Sequence, residues 1–269
     1  MPSVSNIAVG AAMAGAAAQK ARHQMNESIA RLSTGIRSMY GGDAAGQSIA
    51  NSLGAKGASF AVAARNAEDG ISFLQSAESL LLEVAALTTR LRELGIQYAN
   101  SDLLTATDEA ALHAEATAIG DAIQNIAENV KFNGVRLIGE DADDGGSQIS
   151  IGINDGSDTA TIGTGTSITV ANTGNITKAE GVDGSADTAL GEIAKSLGNV
   201  AAGMSALKGY QAVANVSAAN LKAAAARIQD TDYALETANL TKAAILNQSA
   251  MAMVAQANQA QQAILTVIQ

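Results

Sequence analysis

Ile193, Val200, Leu207, Ala214, Leu221, Ile228 and Leu235 stand seven residues apart without a miss. Leu190, Leu197 and Met204 fill the alternate positions of the same repeat in its first part. A 3-4 spacing held this long describes a helix whose apolar stripe packs along another helix. Gln211 and Asp232 interrupt the second row, so the seam is imperfect. A helix over residues 186–240 would span roughly 80 Å at 1.5 Å per residue. That is longer than a compact domain needs, and it makes these apolar residues the expected core of a rod.

The first half supplies partners for such a helix. Ala77, Val84, Leu91 and Tyr98 recur at seven, as do Leu80, Leu87 and Leu94, and Leu74 with Leu81. This run follows Asp69 and Gly70 and is broken by Asn100, Ser101 and Asp102. A second helix is expected over residues 108–129, with Leu112, Ile119, Ile123 and Ile126 on one face, stopping before the turn signal Asn133-Gly134. The middle of the chain changes period. Ile149, Ile151 and Ile153 alternate with polar residues, turn residues occupy 154–158, then Ala160 and Ile162 follow, with Ile168 and Val170 beyond. This pattern predicts a β-hairpin and a further strand. The expected fold is mainly α: a long antiparallel coiled-coil rod with a small β-hairpin region, its terminal helices pairing as an inner coiled coil.

Composition agrees. Aromatic residues are 3% of the 269 and Trp is absent, so burial must come from many small contacts along long elements. The single proline is Pro2, and no later helix is interrupted by its ring. The net charge of −10 disfavours nucleic acid and anionic membranes as partners. The charge is concentrated: residues 140–190 hold nine acids against Lys178, a net −8, which marks a solvated middle. The ends are the opposite. Residues 243–269 carry no charged side chain, and none precedes Lys20. Such ends are too polar for a lipid bilayer and too apolar for free tails. They suit helices packed around an axis, where Ala and Gly permit close approach and unpaired charge would be costly. Ile7, Val9 and Met13, with Leu246, Met253, Ile264 and Leu265, are the residues expected to make that packing. No basic region precedes the apolar residues 7–18, which reads against a cleaved signal peptide.

Catalytic and metal-binding patterns are missing. His23 and His113 have no metal-ligand partner at helical spacing, and there is no Cys. The stretch "DADDGGSQISIG" (141–152) opens like a calcium loop but has Gly152 where a Glu should close it. No phosphate-binding or nucleophile-elbow motif is present. The sequence predicts no enzyme and no cofactor. Ser157, Thr159, Thr164 and Thr166 lie in a Thr-rich stretch that offers sites for O-linked sugars, although Thr also simply favours exposed strands.

Several long motifs carry a family resemblance. "ARLSTGIRSMYGGDAAGQSIA" (30–50), "ARNAEDGISFLQSAE" (64–78), "RLRELGIQYAN" (90–100), "FNGVRLI" (132–138) and "DTDYALETANLTKAAILNQSAMAMVAQANQ" (230–259) resemble bacterial flagellin in order and spacing. Two segments depart from it: "GAAMAGAAA" replaces an Asn- and Ser-rich start, and "SMYGG" an acidic-basic loop. The resemblance implies a structural subunit that polymerises into the hollow helical flagellar filament, a propeller for motility located outside the cell. A hook–filament junction protein with similar termini is the alternative.

The partners it implies are further copies of the chain, the filament cap and hook–filament junction proteins, a C-terminal export chaperone and the flagellar secretion apparatus. In many flagellins the helix around "RLREL" is recognised by Toll-like receptor 5. Arg90, Leu94 and Glu115 stand at the matching positions, where Arg90 and Glu115 equally suit a surface ion pair and Leu94 an inter-subunit contact. The resemblance divides the chain into an inner N-terminal part (1–44), an outer helical arm (45–138), a short acidic β region (139–187), a long outer helix (188–229) and an inner C-terminal helix (230–269).

Overall fold

The computed structural model describes the backbone of residues 2–37, 43–138, 148–154, 156, 158–164 and 182–268, and their side chains except at 2–7, 182, 183, 185 and 264–268. Among the described residues five α-helices carry the fold: α1 (Pro2–Thr34), α2 (Ala44–Tyr98), α3 (Ala106–Asn129), α4 (Val182–Gln229) and α5 (Tyr233–Ile268). Two antiparallel hairpins accompany them, β1 (Lys131–Phe132) with β2 (Val135–Arg136), and β3 (Gln148–Gly152) with β4 (Thr159–Gly163). The mainly helical class, the paired terminal helices and the small β region agree with the sequence. Ile168 and Val170, the expected further strand, lie outside the described residues.

The chain forms two compact units. One comprises Met1–Ala55 with Leu221–Gln269, the other Lys56–Asn220. In the second, the heptad residues meet. Leu74, Ala77, Leu81 and Val84 of α2 pack with Ile193, Val200 and Leu207 of α4, Ile123 of α3 and Ile162 of β4. Leu91, Leu94 and Tyr98 form a smaller cluster with Ala116. Leu190, Leu197 and Met204 are half-buried against the main core, completing the predicted seam. Helix α2 is the one described helix with a stretch long and apolar enough to cross a membrane. Its apolar stripe is taken up by this core instead.

Local chemistry explains the boundaries. Thr105 caps α3: its hydroxyl accepts the Asp108 amide, and the Asp108 carboxylate accepts the Thr105 amide and hydroxyl, a reciprocal capping box. Asn133 and Gly134 both have positive φ, 49° and 85°, and close the β1–β2 hairpin as Asn-Gly turns do. In the second hairpin Ile149 pairs with Ile162 and Ile151 with Ala160, so one face alternates inward as the sequence predicts.

Two expectations need correction. The α2 repeat does not begin after Asp69-Gly70, because the helix runs unbroken from Ala44. Gly70 is buried within it, and a Cβ there would lie 2.9 Å from Leu207 Cδ1, 3.2 Å from Ile162 Cδ1 and 3.3 Å from Ile151 Cδ1. The glycine is a seat for the β3–β4 hairpin, not a stop signal. Likewise the C-terminal heptads do not share one helix. α4 ends at Gln229, Asp232 caps α5 by accepting the Ala234 and Leu235 amides, and Leu235 is 62% exposed. Leu235 therefore leaves the rod core, while Leu221 and Ile228 remain half-buried. The repeat continued through the break because both helices keep the same period.

Candidate functional site

Helices α1 and α5 pack along each other, and the side chains between them are small. Ala18 and Ala21 of α1 and Ala243 and Ala250 of α5 are buried. Ala14 and Ala250 face the same cleft, while Ser28 meets Glu236 near the other end, so the helices run antiparallel. Alanine at the contact positions lets the two backbones approach closely without large side chains between them. Several of the large apolar side chains consequently stay largely exposed. Val9 is 56% exposed, Met13 70%, Leu246 47% and Met253 61%, with Ile245 and Met251 similarly open. These are four of the residues expected to pack in an inner layer, and the lone chain leaves them uncovered. Ile7, Ile264 and Leu265 fall outside the described side chains.

At the base of this pair the chain crosses itself. Gly35, at φ 72°, ends α1 by donating its amide to Arg31 O at 2.8 Å. Its carbonyl then accepts the Thr231 amide at 2.9 Å, and the Arg37 amide donates to Gln229 O at 2.8 Å. Ile36 and Asp230 form an antiparallel bridge between the two segments. The Arg37 guanidinium donates to the free Ile228 carbonyl at the end of α4, at 3.0 Å from Nη2, and to Asp43 Oδ2, also at 3.0 Å. Asp43 in turn accepts the Gly46 amide at 2.8 Å in the first turn of α2. Both placements suit the helix dipoles, a cation at a C-terminus and an anion at an N-terminus. The Gly46 amide first, and Arg37 second, hold the Asp43 carboxyl below the usual carboxylate range.

Above this crossing lies a group that sequence reasoning missed. Glu236 of α5 is 6% exposed and accepts the buried Ser28 hydroxyl at 2.6 Å, with Arg31 Nη1 at 3.6 Å. Its sequence signal was a lone acid at the head of the series Ala243, Ala250, Ala257. In the other unit, Arg90 donates to Glu115 Oε1 at 2.7 Å and to Glu93 at 3.0 Å. Those two carboxylates, Glu115 foremost, raise the Arg90 pKa above its ordinary value. The pair reading of Arg90 and Glu115 thus has its geometry. Leu94 is fully buried beside Leu91 and Tyr98 in the lone chain, where it packs as a core residue and offers no exposed surface.

His23 lies 3.3 Å from Glu27, and His113 packs on Tyr98 with ring centroids 5.0 Å apart. Among the described residues no cluster of His and acidic side chains suits a metal ion. Most of the calcium-like stretch is outside the described residues, as are Ser157 and Thr166. Thr159 is exposed on β4, whereas Thr164 is completely buried and its hydroxyl is closed to a glycosyl donor.

The sequence profile for the bacterial flagellin N-terminal helical region matches residues 5–142, and that for the C-terminal helical region matches residues 184–268. The chain belongs to the bacterial flagellin family. Flagellin FlaB2 of Treponema pallidum is 34% identical to it over 91% of this chain and 92% of that protein. A flagellin from Halalkalibacterium halodurans is 33% identical over the same shares. The flagellar filament 33 kDa core protein of Treponema phagedenis is also 33% identical, again over 91% and 92%. As a flagellin, the chain is a structural filament subunit and not an enzyme. None of these three relatives supports the junction-protein alternative.

Proposed function

We propose that this flagellin polymerises by covering the exposed apolar faces of its charge-free α1–α5 pair with the same faces of further copies, building the inner wall of a hollow extracellular filament that serves as a propeller. The observation that carries this reading is the outward placement of Val9, Met13, Leu246 and Met253 on helices without a charged residue before Lys20 or after Lys242. Apolar surface left open in a lone subunit gains free energy when a second copy covers it. Residues 1–44 and 230–269 then make the inner layer, residues 45–138 and 188–229 the outer one, and residues 139–187 the acidic surface. The test is seeded growth from purified monomer, followed by negative-stain electron microscopy. The full chain should extend filament fragments and a chain lacking residues 243–269 should not; equal growth of both refutes the proposal.

The same reading extends to further partners: the flagellar secretion apparatus for export, a chaperone on the C-terminal segment, the cap beneath which the filament grows and the junction proteins that attach it. Family membership supports each as a proposal. On the same reading, recognition by Toll-like receptor 5 rests on the exposed Arg90–Glu115 pair. A reporter-cell response to the intact monomer that an R90A/E115A variant loses would establish it. For O-linked sugars, Thr159 is the open acceptor among the described candidates, and intact-mass measurement of protein from its native source reads it directly.

A further inference from the structure

Met13, Met251 and Met253 are each more than half exposed, and they are the exposed methionines among the described side chains. Met25 and Met204 are half-buried, Met204 against the core of the other unit. Ala14, Ala250 and Met253 line one cleft between α1 and α5. Met13 and Met251 adjoin those two alanines in the chain, so the three thioethers stand at one height of the pair, to within about one helical turn. Two residues turn a helix by about 200°, which puts Met251 and Met253 on opposite flanks of α5. The methionines form a belt around the helix pair at a single level, in the part of the chain that carries no charge.

This belt has a chemistry that its exposed neighbours Val9, Ile245 and Leu246 lack. A thioether sulfur attacks one oxygen of hydrogen peroxide; the O–O bond breaks, an S–O bond forms and water leaves. The sulfur is oxidised and both peroxide oxygens are reduced. The product is a polar, chiral side chain, and its oxygen wants a hydrogen-bond donor. In water that donor is at hand. Beneath a second copy it is a polar group pressed into an apolar contact with no charge or donor nearby.

We propose that Met13, Met251 and Met253 form an oxidation site through which peroxide withdraws the unassembled subunit from filament growth. The proposal rests on the assembly reading above, in which further copies cover these faces. Covering also shields the sulfurs, so the free subunit is the vulnerable form. Reversal takes two thiols, which become a disulfide as the sulfoxide oxygen leaves as water, with one reductase for each sulfoxide epimer.

The test treats full-length monomer with dilute hydrogen peroxide, removes the excess with catalase, and follows each methionine by peptide mass spectrometry beside seeded growth. Met13, Met251 and Met253 should gain oxygen about tenfold faster than Met204, since oxidation follows exposure, and growth should fall about tenfold. Methionine sulfoxide reductases for both epimers, with dithiothreitol as the thiol, should restore it. In a variant combining Met13→Leu, Met251→Leu and Met253→Leu, growth after peroxide should match that variant's own growth before, whatever its basal rate. Partly oxidised wild type gives a second readout that needs no variant: residual growth should track oxygen at these three positions and not at Met25 or Met204. Sensitivity that persists in the leucine variant overturns the proposal. So does full growth of subunits oxidised at all three positions, and so does a loss that tracks Met25 or Met204. If wild type never exposed to peroxide fails to extend seeds, the assembly reading falls and the proposal falls with it, an outcome told apart by needing no oxidant.

Discussion

The two units of this flagellin bury different kinds of side chain. Among the described residues, every one of the largest fully buried side chains, from Leu74 and Leu81 through Ile193 and Leu207, belongs to the unit of residues 56–220. In the unit formed by the two ends of the chain, the buried positions among the described side chains are Ala18, Ala21, Gly46, Ala50, Ala225, Ala243 and Ala250, with Ser28, Thr231 and Glu236. A fully buried Leu or Ile is worth about 1.5–3 kcal/mol, and an Ala far less. One unit thus closes its own core. The other buries alanines where two of its helices meet and leaves Val9, Met13, Leu246, Met251 and Met253 largely exposed. Stability of the first is a property of the subunit, and stability of the second is largely a property of the assembly.

The largest test of that contrast places a charge where the second unit expects a neighbour. Met253→Asp or Met13→Asp should abolish seeded filament growth, because burying an unpaired carboxylate in an apolar contact is prohibitive. The same substitutions should leave the urea unfolding of the isolated subunit unchanged, since both side chains are mostly in water there. The converse follows for the other unit. Leu81→Ala or Leu207→Ala, at fully buried positions, should cost about 2–5 kcal/mol in the same urea measurement. If the methionine variants shift the unfolding midpoint as much as the leucine variants, the division of labour is wrong.

The sequence made the self-contained unit the more legible of the two. Heptads of Leu, Ile and Val announce their partners by size and period, and Leu74, Leu81, Val200 and Leu207 all lie in the core they predicted. Period alone could not show that Leu221, Ile228 and Leu235 span a break, because helices α4 and α5 keep the same phase on either side of Asp230 to Asp232. Leu94 is buried as its heptad row with Leu80 and Leu87 predicts, while the surface role came only from the family resemblance of the motif around it. The end unit was legible through its missing charges, which pointed to assembly. Its organising contacts were not: Glu236 and Arg37 act through partners about 190 to 210 residues away in the chain, and no local pattern marks them.

A finer comparison uses glycines within the helices of the self-contained unit. Gly70→Ala gains about 1 kcal/mol of helix propensity but forces a methyl against Leu207, Ile162 and Ile151, an overpacking worth about 1–3 kcal/mol. The net expectation is a loss of roughly 1 kcal/mol and faster hydrogen exchange in β3 and β4. Gly198, on the exposed side of α4, has nothing within 4 Å of its missing Cβ. Gly198→Ala should therefore stabilise by up to about 1 kcal/mol. Opposite signs for two identical substitutions would show that the hairpin seat, not helix propensity, governs Gly70. The same sign for both would remove the seat from the account of α2.

The smallest effects separate the units by acid. Asp43 caps α2 in the end unit, and Asp108 caps α3 in the other; both carboxyls are held below their ordinary value of 3.8, Asp43 chiefly by the Gly46 amide and Asp108 chiefly by the Thr105 hydroxyl. A carboxyl whose pKa is lower folded than unfolded binds fewer protons in the folded state. Its contribution is complete above the ordinary value and fades as pH falls through the lowered one. Asp43→Asn and Asp108→Asn keep an N-capping side chain while removing the charge. Each variant should be less stable than wild type at pH 7, and the difference should vanish on acidification below the carboxylate range. Hydrogen exchange at the Gly46 amide should follow Asp43→Asn alone, and exchange at the Asp108 amide should follow Asp108→Asn alone. A difference that persists unchanged to low pH would trace the loss to the shape of the cap and not to its charge. A change at both amides in either single variant would mean that the two units exchange stability, which their separate cores argue against.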